Sequence, residues 1–133
     1  MAPVVVLLLP LLLLPGIRTN EYESAPIEIK VVNSLKDTPA QSYSASVVKG
    51  GILQGAMKRL MASNAGFKFT IQEDPNFGPF LESVNGLAGS ELDHTYWELL
   101  VKTPSGETIR PDVGIGCFVP KAHDQIILNF TKW

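Results

Sequence analysis

Cysteine is almost missing from this sequence, and Cys117 stands alone. Small secreted domains stapled by disulfides carry an even set of cysteines, so this chain has to be held by its core. The neighbours Ile115, Phe118 and Val119 favour burial of that thiol as a small apolar residue. The other reading is an unpaired thiol able to bridge to a second chain. Histidine is nearly as scarce. His94 and His123 lie far apart, and no spacing resembles a zinc site. Asp93 and His94 are adjacent, but adjacent residues on a strand point to opposite faces. A glycine-rich phosphate loop ending in Lys-Ser or Lys-Thr is absent, and so is a G-x-S-x-G nucleophile elbow. A histidine on a turn is more often a solvated surface residue than a ligand or base, and the reading is a protein that is not an enzyme.

Positive charge is also sparse. Eleven Lys and Arg against 13 Asp and Glu give a net charge of −2, and the only adjacent basic pair is Lys58–Arg59. Nucleic-acid binding needs clustered Lys and Arg to meet phosphates, so no nucleic-acid partner is expected. Long apolar runs are missing but for one, Val4 to Leu14, broken only by Pro10. It is too short for the ~20 residues that cross a bilayer as a helix, so no membrane span is expected. Its length suits the apolar core of a secretory signal peptide, followed by the polar stretch Arg18-Thr19-Asn20-Glu21. The predicted organisation is therefore a leader over 1–19 and one domain over 20–133, secreted to an extracellular location. A chain of 133 residues has no room for a two-lobed enzyme or a large barrel.

What is present reads as strands around one helix. Ile27, Ile29 and Val31 alternate with Glu28, Lys30 and Val32, which predicts a half-buried strand. The stretch Asn33 to Ser44 reads as a turn-rich connection. Val48, Ile52, Ala56, Met57, Leu60 and Met61 then fall on one stripe at spacings of three and four. This predicts a helix over about 46–63, with Ser46 as its cap and Asn64 and Gly66 as stop signals. Gly50, Gly51 and Gly55 weaken it, so it must be held by packing against a sheet. Further strands are predicted at Phe67–Ile71, Phe80–Leu87, Thr95–Lys102 and Asp124–Phe130. The fold class is α+β, with one helix laid across a mainly antiparallel sheet.

Two segments look suited to binding. In Asn76-Phe77-Gly78-Pro79-Phe80-Leu81, two aromatic rings flank a Gly-Pro pair that fixes the backbone. The second is Tyr96-Trp97-Glu98-Leu99-Leu100, followed by the turn Thr103-Pro104-Ser105-Gly106. Tryptophan is common at recognition surfaces, but strand aromatics more often serve the core. Asn129-Phe130-Thr131 is an N-glycosylation sequon, open to occupation in a secreted chain or silent at a strand end.

The ordered set Phe67-Lys68-Phe69, Phe77-Gly78, His94-Thr95-Tyr96-Trp97 and Ile127-Leu128-Asn129-Phe130-Thr131 resembles the C-terminal domain of the cobalamin carriers. That family comprises transcobalamin, gastric intrinsic factor and haptocorrin. The resemblance runs from about residue 27 to Trp133, and its most specific piece is the Thr-Tyr-Trp strand. It implies a small β-grasp-like domain that closes over one face of cobalamin, while a large helical barrel holds the other face. This chain is too short to contain that barrel, so it reads as the C-terminal domain standing alone, and neither histidine inherits the barrel's cobalt ligand. Carried over by position, the cobalamin contacts would be Asn76, Phe77, Gly78, Pro79, Phe80 and Leu81, then Trp97, Glu98, Leu99, Leu100, Val101, Lys102, Thr103, Pro104, Ser105 and Gly106. Phe77 stands where family members often carry Trp. The implied function is secreted, non-catalytic binding and transport of cobalamin or another corrinoid, with a second protein or a second copy completing the site. The rival reading is a secreted interaction protein that keeps the fold and binds a protein partner instead.

Overall fold

In the computed structural model of the chain, residues 23–76 and 78–133 are described. The leader expected over 1–19 and the candidate contact Phe77 lie outside them. Ten residues that alternate apolar and polar form β1 (Ser24–Asn33), with Ile27, Ile29 and Val31 buried on one face. The chain turns back into β2 (Gln41–Val48), which pairs antiparallel with β1 and places Tyr43 opposite Ile29 and Ala45 opposite Ile27. Helix α1 (Leu53–Ala62) follows. Next come β3 (Phe69–Asp74), β4 (Gly78–Val84) and the short β5 (Leu87–Ala88). The chain ends with β6 (Thr95–Lys102), the short β7 (Thr108–Ile109) and β8 (Gln125–Lys132).

Two sheets result. The larger has the order β2-β1-β8-β6-β7, and the smaller β3-β4-β5. All pairings are antiparallel except the central one, where β1 and β8 run parallel. A hairpin, a helix, and first and last strands paired parallel in mid-sheet are the β-grasp arrangement implied by the resemblance. Register stacks the core face across the sheet: Val31 beside Leu128 beside Leu99, and Ile29 beside Ile126 beside Val101. The helix lays Leu53, Ala56, Met57 and Leu60 on that face, the i, i+3, i+4, i+7 stripe of an amphipathic helix.

The sequence-based helix started too early. Ser46 lies within β2 and Val48 ends it, so neither belongs to α1, and Ser46 caps nothing. The connection expected over Asn33–Ser44 likewise contains the first half of that strand. The chain leaves β2 through a turn in which Gly50 takes a φ of +81°, a conformation that favours glycine. The α1 N-terminus has no side-chain cap. Its first amides, on Leu53 and Gln54, donate instead to the carbonyls of Phe118 and Ile115 at 2.8 and 2.9 Å. Packing from a distant loop thus replaces the local capping the sequence was expected to supply. The strand expected over Phe80–Leu87 is displaced to Gly78–Val84, because Asn85 and Gly86 both take positive φ and turn the chain. Cys117 is exposed, contrary to the burial its neighbours favoured: Ile115 goes into the core, while Cys117 and Val119 face outward.

Candidate functional site

Strand β6 is paired along its whole length by β8 on one side. On the other side its partners are partial. Thr95 exchanges both backbone hydrogen bonds with Ser90, at 2.9 and 3.0 Å, and Val101 and Lys102 pair with β7. Backbone groups alternate in direction along a strand. The N–H and C=O of Trp97 and Leu99 therefore point the same way as those of Thr95 and Val101, toward the outer edge. Between the Ser90 bridge and β7 no described strand pairs with them. The outward peptide groups of Trp97 and Leu99 are thus left without a strand partner among the described residues.

Strand β4 lies across from this edge, and two adjoining clefts open between them. One, of about 400 Å³, is lined by Phe80, Leu81, Trp97, Tyr96 and Trp133, with Glu82 and Glu91 among its polar residues. The other, of about 300 Å³, shares Phe80, Leu81, Tyr96 and Trp97 and adds Glu98, Leu99 and the loop from Arg110 to Ile115. Phe80 is 45% exposed, a large apolar ring on the surface of the groove. Trp97 forms the floor. Its ring packs against Phe130 at 5.1 Å, and its Nε1–H donates to the Leu87 carbonyl at 2.8 Å, tying β5 of the small sheet to the large one.

Glu98 is the buried charge of the site. Its carboxylate is ion-paired with Arg110 and accepts a hydrogen bond from Asn129 Nδ2 at 3.1 Å. Asn129 Oδ1 in turn accepts from the Ser34 hydroxyl at 2.6 Å. A buried carboxylate is costly unless paired. The network ties the Arg110 loop, the wall of the smaller cleft, to the middle of the sheet. Nδ2 of Asn129 is also the atom on which the sequon would carry a glycan, and here it faces Glu98 on the face away from the helix.

The candidate contacts thus divide. Phe80, Leu81, Trp97, Glu98 and Leu99 come together at the clefts. Val101 is fully buried in the core and has no surface to offer a ligand. Leu100 and Lys102 lie further along β6, paired with Ile127 and Gln125, and line neither cleft. Thr103, Pro104, Ser105 and Gly106 form the exposed β6–β7 turn, closed by a Gly106 N–H to Thr103 carbonyl bond of 2.8 Å. Asn76 belongs to the turn before β4, where its N–H donates to the Asp74 carboxylate at 2.7 Å, and Gly78 opens β4 opposite Asp74. Pro79 packs beneath Gly116 rather than into either cleft. Sequence reasoning named Tyr96 in a segment suited to binding but not among the carried-over contacts, and it did not place Trp133 or the Arg110–Ile115 loop at the site, since these arrive from distant segments. Among the described residues no group of three or more His, Cys, Asp or Glu is placed to hold a metal ion, and no helix is long and apolar enough to cross a membrane.

No family model matches the chain. Among curated proteins it is 31% identical over 94 residues to cobalamin binding intrinsic factor of Canis lupus familiaris, covering 70% of this chain and 21% of that protein. Identity to human Transcobalamin-1 is 26% over 106 residues, 79% of this chain and 23% of that protein. The chain therefore spans about a fifth of the length of these relatives. Among solved structures, haptocorrin in complex with Cbi superimposes with a TM-score of 0.69 at 22% identity, covering 90% of this chain and 27% of that one. A Ruminococcus gnavus protein solved at 1.30 Å shares the fold more distantly, with a TM-score of 0.54 at 12% identity over 82% of this chain and 98% of that one. Over most of its own length this chain is thus a homologue of cobalamin binding intrinsic factor and Transcobalamin-1, matched to a single-domain share of them that is consistent with their C-terminal domain.

Proposed function

We propose that this chain is a secreted, non-catalytic corrinoid-binding protein whose β6 edge and flanking clefts cover one face of the ligand. The observation that carries the reading is the free edge at Trp97 and Leu99, set between apolar walls. A corrin is a broad, partly apolar disc fringed with amides. Phe80, Leu81 and Leu99 supply apolar cover, and the edge N–H and C=O groups suit amide partners. The relatives' names, which describe cobalamin binding, support the same ligand class.

One small domain covers one side of a disc. If the uncovered face amounts to ~300 Å² of apolar surface, leaving it in water forfeits about 7 kcal/mol at ~25 cal/mol per Å². Each 1.4 kcal/mol is about tenfold in affinity, so binding by a single copy is expected to be micromolar or weaker. Tighter binding needs a second protein, or a second copy, on the other face. Corrinoids are coloured, so an absorbance titration with cobalamin and cobinamide at several protein concentrations tests this directly. Micromolar binding that tightens with protein concentration supports the reading. Nanomolar binding, one ligand per chain and independent of protein concentration, overturns the one-face argument. Failure to bind either corrinoid transfers the fold to the rival reading, a module for a protein partner.

A further inference from the structure

We propose that the larger cleft, between β4 and the start of β6, binds a quaternary ammonium group. This goes beyond the corrinoid reading: it gives the larger of the two clefts that flank the β6 edge a second ligand class, and does not use the free edge itself. Phe80, Tyr96, Trp97 and Trp133 line the cleft; Phe80 and Trp133 are exposed and Tyr96 meets Trp133, while the Trp97 ring lies on the opposite face of β6 against Phe130. Two carboxylates, Glu82 and Glu91, stand among them, and no Lys or Arg is among the described lining residues. Neither carboxylate makes an ion pair with any described residue. Aromatic faces attract cations through the ring quadrupole, and the attraction grows as water is excluded.

Two further observations show a built feature rather than a chance hollow. Trp133 is 60% exposed yet held in place. Its N–H donates to the His94 carbonyl at 3.0 Å, and its ring meets His94 and Tyr96 edge-on at 5.0 and 6.0 Å. His94 takes a φ of +58°, an uncommon conformation for a residue with a side chain. On the other wall, the β3–β4 register steps from Thr70–Ser83 to Ile71–Leu81, so Glu82 is the extra residue of a bulge. Bulges re-aim side chains and are frequent beside binding sites. The Glu82 carbonyl also accepts from the Gly89 N–H at 3.1 Å, which joins the two sides of the cleft behind it.

The chemistry selects the type of cation. A bare metal ion needs several oxygen, nitrogen or sulfur ligands, and no such group of His, Cys, Asp or Glu is present among the described residues. A primary ammonium ion gives up a strongly held hydration shell to enter a carbon-walled cleft. A quaternary ammonium group donates no hydrogen bonds, so the Phe80, Tyr96 and Trp133 rings and two nearby carboxylates suit it.

The probe is choline, set against its neutral isostere 3,3-dimethylbutan-1-ol. Each is titrated into the purified, isotopically labelled chain while the Trp97 indole N–H resonance is followed. The unliganded position of that resonance reports that each variant is folded. Choline is expected to bind at least fivefold more tightly than the isostere. W133A should weaken choline binding at least fivefold, and E91Q about threefold. Equal affinity for choline and the neutral isostere overturns the proposal, as does W133A binding choline like the parent. No corrinoid enters the experiment, so its outcome is independent of the titration that tests the proposed function.

Discussion

Trp97 lines both clefts and also joins the two sheets, so its replacement separates binding from folding. The indole is 7% exposed, packed on Phe130 and hydrogen-bonded through Nε1 to the Leu87 carbonyl at 2.8 Å. Trp97→Ala removes the ring and leaves a cavity, at a cost of ~3–5 kcal/mol. Losing the hydrogen bond adds ~1 kcal/mol. A domain of this size is stable by only ~5–15 kcal/mol, so Trp97→Ala should lose most of its folded population or all of it. Trp97→Phe keeps an aromatic ring against Phe130. Leu87 is 39% exposed, so water can satisfy its carbonyl, and this variant should cost only ~1–2 kcal/mol. Urea unfolding followed by far-ultraviolet circular dichroism reads both values. Trp97→Phe then goes into the corrinoid titration as a folded protein, where a loss of affinity isolates the ring's part in binding. A Trp97→Ala variant within ~1 kcal/mol of the parent would refute the reasoning, because the indole could then be neither core nor tether.

Three further outcomes are expected. In Gly116→Ala the new Cβ would lie 2.7 Å from Pro79 Cγ, a rigid ring atom, so the loop that caps α1 must shift at a cost of ~1–3 kcal/mol. Faster hydrogen exchange at the Leu53 and Gln54 amides would register that shift. Arg110→Ala leaves the buried Glu98 carboxylate with Asn129 as its remaining side-chain partner and should cost ~1–3 kcal/mol, part of which Glu98→Gln restores in the double variant. Thermal melts of the four proteins of that cycle measure it. Asn129→Asp replaces a donor facing Glu98 at 3.1 Å with a second carboxylate, and should lower the melting temperature at pH 7 by several degrees.

Period-two alternation made β1 readable in the sequence, because it has one face on the core and one face away from it, and apolar and aromatic content marked β6 and β8. Strand β2 carries the same period, Tyr43, Ala45 and Val47 against Ser42, Ser44 and Ser46. Its apolar side chains are few and small, and the helical stripe that follows masked them. The α+β class was legible, since it needs only the kinds of element present. The parallel pairing of β1 with β8 was not, because nothing local records which strand lies beside which. The site was legible in part. Phe80, Leu81, Trp97 and Leu99 lie in segments whose aromatic and apolar content drew attention. Val101, from the same strand, is buried because β6 presents alternate residues to the core. The remaining walls, Trp133 and the Arg110–Ile115 loop, are brought in by the chain's path, which a linear reading does not contain.

The parallel pair at the centre of the large sheet also sets an order of events in folding. The Glu28 and Gln125 side chains, hydrogen-bonded across it, are 97 residues apart in sequence. The hairpin of β1 and β2 and the helix after them involve near neighbours and can form early. The inner edge of β1, with Ile27, Ile29 and Val31, stays unsatisfied until β8 arrives. Closing a loop of that length is entropically slow, so folding should be governed by this late step. During the wait an apolar strand edge is open to any passing chain, the circumstance in which strands pair wrongly and aggregate. Strand β8 also flanks β6 on its inner side, so the groove at Trp97 takes shape only when the last strand docks. Ligand cannot assist the early stages of folding, and it meets a site that forms together with the finished sheet.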